Sequence, residues 1–177
     1  MRKRHVWLTV VVLLVLVIGV GVTVAFLAAS SNQVKNTFTV GDVNATLTET
    51  TGNTYKLIPG AGIKKDPVVT VIAESETCWL FVKIEKSGNF DTFCTYEIDS
   101  EWHELPSHIG VFYRMVERAS VDQQFHVLKN DSISVRELLT ENQLSAITKN
   151  PTLKFTAYAI QSDGFATVHD AWQALEQ

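Results

Sequence analysis

Cysteine is scarce in this chain: among 177 residues only Cys78 and Cys94 carry a thiol. One disulfide is the most they can form, closing a loop worth about 3 kcal/mol in the chain-entropy picture. The alternative is two separate buried thiols, each acting as a small hydrophobe. Basic residues are also few, with 15 Lys and Arg against 19 Asp and Glu. Arg2, Lys3 and Arg4 belong to the first few positions, so 15 less 3 leaves 12 basic residues against 19 acidic ones, a net of −7 on the rest. An acidic body has no electrostatic footprint for nucleic acid and is repelled by anionic lipid or wall polymers. Catalytic signatures are missing as well: there is no Gly-rich phosphate loop, Gly-x-Ser-x-Gly elbow or Cys–His nucleophile pattern. Internal repeats, low-complexity tracts and an inner linker are absent too.

What the chain does have is a long apolar run. Met1-Arg2-Lys3-Arg4-His5 is followed by an almost unbroken apolar stretch from Val6 to Ala29. Its roughly 24 positions compare with ~20 needed to span a bilayer and ~7–15 in a typical signal core. Gly19, Gly21 and Thr23 dilute its end, and the small residues Ala25, Ala28, Ala29 and Ser30 offer a signal peptidase a place to cut. Residues 1–29 therefore read as a signal peptide or a membrane anchor, forming an N-terminal hydrophobic helix. In either case the basic start stays inside and the body is exported, remaining membrane-anchored if the leader is retained. Residues 30–177 are the size of one ordinary domain with a sizeable core.

Beyond the leader the period changes to two. Val43, Ala45 and Leu47 alternate with polar residues, and Tyr55 to Ile58 makes a second short strand stopped by a turn at Pro59-Gly60-Ala61-Gly62. Asp66-Pro67 opens the β-branched run Val68 to Ile72. Cys78 to Ile84, Phe93 to Ile98, Val111 to Val116, Phe125 to Leu128 and Leu153 to Ile160 continue the pattern. With Lys86-Ser87-Gly88-Asn89 as a hairpin turn, Cys78 faces a residue a few positions past Cys94, so the register must slip for a disulfide to close. Val135 to Ile147 predicts one or two short helical turns. Thr167 ahead of Asp170 is a capping-box order, starting a helix that buries Ala171, Trp172 and Leu175. Short strands between turn signals, with one or two short helices, make the expected class mainly β, an antiparallel β-sandwich.

Few residue groups suggest chemistry. In His103-Glu104-Leu105-Pro106-Ser107-His108 the second His stands at i+5, not the i+4 a zinc-protease helix needs, and Pro106 would break that helix. His126 and His169 have no ligand-type partner at metal spacing. Glu97, Asp99, Glu101 and Glu104 lack the turn glycine and spacing of a calcium loop. Trp79, Phe81, Phe90, Phe93, Phe155, Tyr158 and Trp172 lie at core spacing. No catalytic, cofactor-binding or metal-ligating residue is assigned, and no cofactor is expected. One segment stands apart: Ser31 to Val40 is polar, extended-prone and directly behind the cut. Freed, it could pair with the sheet edge of another molecule; otherwise it is the first edge strand of its own sheet.

The leader ending Gly21-Val22-Thr23-Val24-Ala25-Phe26, followed by Asn36-Thr37-Phe38-Thr39-Val40-Gly41-Asp42-Val43, resembles the TasA/camelysin group of Gram-positive exported proteins. Tyr55 to Gly60, Cys78 to Ile84, Phe155 to Phe165 and Ala171-Trp172 extend the likeness. The resemblance implies a dedicated, SipW-type signal peptidase as partner, cutting after Val24, after Ala25 beside Phe26, or within Ala28-Ala29. It implies a jelly-roll-like sandwich at the cell surface or in a biofilm matrix. There an N-terminal segment, Asn36, Thr37, Phe38, Thr39, Val40 and Gly41 included, completes the sheet of a neighbour, either another copy or a related matrix protein. The expectation is thus a non-enzymatic, self-assembling surface or matrix protein. The alternatives are a camelysin-like surface metallopeptidase, for which no motif is present, and a membrane-anchored accessory domain binding a wall component or partner protein.

Overall fold

A computed structural model describes residues 37–52, 55–140, 143, 147 and 149–176, with backbone alone for 37–40. The period-two residues form eleven strands. They are β1 (Thr37–Val40), β2 (Ala45–Thr48), β3 (Gly62–Lys64), β4 (Val68–Val71), β5 (Cys78–Lys86), β6 (Cys94–Ile98), β7 (His103–Glu104), β8 (Val111–Val116), β9 (Gln123–His126), β10 (Leu128–Val135) and β11 (Leu153–Gln161). Two helices are described, the single turn α1 (Phe90–Phe93) and α2 (Val168–Leu175). The mainly β character, the antiparallel sheets and the short helices are as the sequence predicts. The predicted N-terminal helix and the cut at Val24, Ala25, Phe26, Ala28 and Ala29 lie outside the described residues, which fall within the compact unit Lys35–Gln177. Among the described residues no helix is long and apolar enough to cross a membrane.

A five-stranded sheet runs in the order β1-β11-β5-β8-β7, and two three-stranded sheets run β3-β10-β6 and β2-β4-β9. Every pairing is antiparallel except β1 with β11. Successive side chains on a strand point to opposite faces, and β5 uses both. Cys78, Leu80, Val82 and Ile84 join Phe155, Ala157 and Ala159 of β11 in the main core, against Leu47, Val69, Val71, Ile133 and Val135 of the smaller sheets. Phe81 and Ile160, on the opposite face, form a second cluster with Leu105, Val111, Ala171 and Trp172. That cluster is covered by α2. Its capping box is complete: Thr167 accepts from the Asp170 backbone N–H while the Asp170 carboxylate takes the Thr167 N–H. Ala171 and Trp172 are buried as predicted, whereas Leu175 is half-buried at the cluster's margin.

Three local expectations are corrected. Tyr55 to Ile58 forms no strand; Tyr55 and Leu57 pack on the core from an irregular segment, so their alternation reflects packing without pairing. The predicted turn ends early, because Gly62 opens β3 against β10. The stretch after β5 is no hairpin either. Ser87 to Asn89 lead into α1, which buries Phe90 and Phe93 and carries the chain to another sheet, where β6 pairs with β10. A tight hairpin would have left those two rings in water. Of 135–147, Val135 ends β10 and Leu138 is 93% exposed, while part of the rest lies outside the described residues.

Candidate functional site

The segment singled out by the sequence forms an edge strand. Thr37, Phe38, Thr39 and Val40 pair in parallel with Ala157, Tyr158, Ala159 and Ile160 of β11. Asn36 lies outside the described residues. On its other side β11 pairs along its whole length with β5, from Leu153↔Lys86 to Gln161↔Cys78. Register therefore sorts the four β1 positions: 37 and 39 stand beside the core-facing alanines 157 and 159, 38 and 40 beside Tyr158 and Ile160 of the outer face. Parallel ladders have slanted bonds, slightly weaker per residue than antiparallel ones, and this one is four residues long. A peripheral strand of this kind is the part of a sheet most readily exchanged, and its departure would leave the backbone groups of β11 open along that side.

Gly41 ends the strand at φ +83°, a region glycine occupies at no steric cost. A Cβ there would lie 2.4 Å from Gln161 Oε1 and 2.9 Å from Gln161 Cδ. The turn from β1 toward β2 is thus built on a bare backbone pressed against the last residue of β11. From Gly41 the chain leaves the five-stranded sheet and enters the sheet of β2 and β4.

Cys78 on β5 and Cys94 on β6 are both buried and unbonded, in different sheets, with no disulfide between them. Burial pushes the Cys78 thiol up to about 11 and raises Cys94 as well. Both remain protonated at neutral pH, as inert core thiols do.

The histidine and carboxylate segments do not converge. His103 and Glu104 form the exposed strand β7, and the chain then turns through Ser107 at φ +68°. His103 rests 5.7 Å from the Tyr113 ring, while His108 Nδ1 lies 3.2 Å from the Pro106 carbonyl. His126 Nδ1 meets Asp131 Oδ1 at 2.8 Å. Glu97 pairs with Lys129, Glu101 with Arg114 at 2.9 Å, and Asp99 accepts the Glu101 N–H, so these carboxylates turn to separate partners. Among the described residues no three His, Cys, Asp or Glu side chains gather in a metal-holding group.

Two groupings were not legible in the sequence. Arg114 sits on the core-facing side of β8, beside Leu80, with its guanidinium 3.9 Å from the Phe125 ring centroid. Period two alone marks position 114 as inward, but a charge there argues against that assignment until its aromatic partner and Glu101 are known. The second joins loop and helix: His108 lies 5.2 Å from the His169 ring, 6.2 Å from Trp172, and 3.9 Å from a Glu176 oxygen. These residues are some sixty positions apart in the chain, and no spacing rule reaches that far. Compared with known proteins, the chain matches no family model, no curated protein and no solved structure.

Proposed function

We propose that this chain is a non-enzymatic exported protein of the cell surface or extracellular matrix that joins copies of itself by exchanging β1. The observation that carries the reading is the placement of β1. It is an N-terminal edge strand held by one four-residue parallel ladder and tied to the body through a glycine turn. Export, by cleavage or with the leader kept as an anchor, rests on the basic start and the apolar run before it. The resemblance to the TasA/camelysin group supplies the rest of the picture: a SipW-type signal peptidase and a jelly-roll-like sandwich for the body. An N-terminal segment then docks on the next copy or on a related matrix protein.

An exchanged strand makes a head-to-tail contact, and a head-to-tail contact that does not close grows into a filament. The test compares exported protein with a form shortened through Val40. The longer form is expected to pass from monomer to oligomer as concentration rises. The shortened form is expected to stay monomeric and to bind a synthetic peptide of residues 30–41. Equal association of the two forms, or indifference of the shortened form to the peptide, would overturn the proposal.

A further inference from the structure

Beside α2, on the outer face of the five-stranded sheet, lies a cavity of about 440 Å³ lined by Lys83, Tyr158, Trp172, Leu175 and Glu176. That volume falls within the range of small-molecule sites, ~300–1,000 Å³. Two strands and one helix contribute: Lys83 from β5, Tyr158 from β11, and the last turn of α2 with the residue that caps it. The ring of Trp172 is fixed on several sides, 5.1 Å from Phe81, 5.3 Å from Tyr158 and 6.2 Å from His108, so the wall is preorganised.

The charges in the wall define what it can hold. Lys83 is half-buried and, among the described residues, has no salt-bridge partner, whereas Lys65, Lys86, Lys129 and Lys154 each have one. Glu176 lines the same space with its carboxylate 3.9 Å from His108 and unpaired with Lys83. A purely anionic guest would meet Glu176 and a purely cationic one Lys83, each at a cost. A guest bearing both charges satisfies both ends. Among the described residues the buried Trp172 indole N–H has no acceptor, so its signal reports on what changes around the ring without a competing hydrogen bond.

We propose that this cavity binds a small zwitterion, a free amino acid or a short peptide, with the carboxylate at Lys83 and the ammonium at Glu176. The inference draws on no residue of β1: the wall residues named lie on β5, β11 and α2 with its cap.

The full chain in a mild detergent is titrated with three probes: alanyl-alanine, its N-acetyl form carrying only the carboxylate, and its amide carrying only the ammonium. The readout is the NMR signal of the Trp172 indole N–H, assigned by its loss in Trp172→Phe. Alanyl-alanine is expected to give a saturable shift, and each single-charge analogue to bind about tenfold more weakly. Lys83→Met should weaken alanyl-alanine and the N-acetyl form while sparing the amide; Glu176→Gln should do the reverse. No saturable shift, equal affinity for all three probes, or indifference to both substitutions would overturn the assignment.

Discussion

A single carboxylate, Asp66, ties the stretch just after β2 to the entrance of β4. It accepts the backbone N–H of Thr50 at 2.9 Å and of Thr51 at 3.1 Å, together with both threonine hydroxyls. Partial burial pushes this carboxyl up, but the four bonds outweigh it and hold Asp66 well below the usual carboxylate range. Because the folded-state value is depressed, the stabilisation is complete above the unfolded value near 3.8 and drains away as pH falls below it. Asp66→Asn keeps the shape and removes the charge. It is expected to cost about 1–2 kcal/mol at pH 7, discounted for solvent screening. Urea unfolding at a series of pH values checks this: the gap between variant and parent should begin to narrow below about pH 4, where the unfolded parent's carboxylate takes up a proton, and close only as pH nears the depressed folded-state value. The sequence marks Asp66-Pro67 as a strand opener and nothing more, because the threonines it holds are 15 and 16 residues away. Its neighbour Lys65 is hidden in the same way. Paired with Glu49 at 2.8 Å, with both side chains only 7% exposed, it lies under the Tyr55 and Phe155 rings. Nothing local distinguishes it from an ordinary surface lysine.

Elements divide by whether their cause is local. The terminal helix is legible because its cap and its buried face are written in adjacent residues: Thr167 and Asp170 close the box, and Trp172 follows on the inward side. Two substitutions separate these contributions. Thr167→Ala removes the cap and should cost about 1 kcal/mol. Trp172→Ala empties the centre of the outer cluster, where the indole is 2% exposed against Phe81 and Tyr158, and should cost about 3–5 kcal/mol. Denaturant midpoints and slopes for the two variants measure both. β5 and β4 were equally legible, since burial on one or two faces sets their periods. Their partners were not. A strand's sequence says which side is wet, while pairing depends on where the chain has been led. Lys86 to Asn89 read as a hairpin turn until Phe90 and Phe93 are seen to need cover, and that need sends β6 to another sheet. The bend in β10 at Asn130 and Asp131, both at positive φ, was equally invisible; it displaces the register between Leu128↔Ile98 and Ile133↔Tyr96.

For the molecule as a whole the question is whether β1 belongs to its own sheet or to a neighbour's, and Gly41 can decide it. In the closed chain Gly41 holds φ +83° with Gln161 against its α-carbon. Alanine there takes on a left-handed strain of about 1–2 kcal/mol and a Cβ that Gln161 must move to admit. If β1 is exchanged between copies, the turn opens in the exchanged form and the strain is released. The penalty then falls on the monomer alone, and a strained hinge favours the swapped species. Each 1.4 kcal/mol shifts such an equilibrium about tenfold. Gly41→Ala should therefore associate at a protein concentration several-fold to tenfold lower than the parent, measured by sedimentation velocity across a dilution series. If β1 serves only its own sheet, the same strain lowers the unfolding temperature and leaves the variant monomeric at every concentration. A Gln161→Ala control removes the side chain facing the glycine while leaving the backbone angle untouched. It should restore little of the effect if the angle is its source, and most of it if crowding is. The two variants together thus locate the strain as well as reporting whether oligomers grow from it.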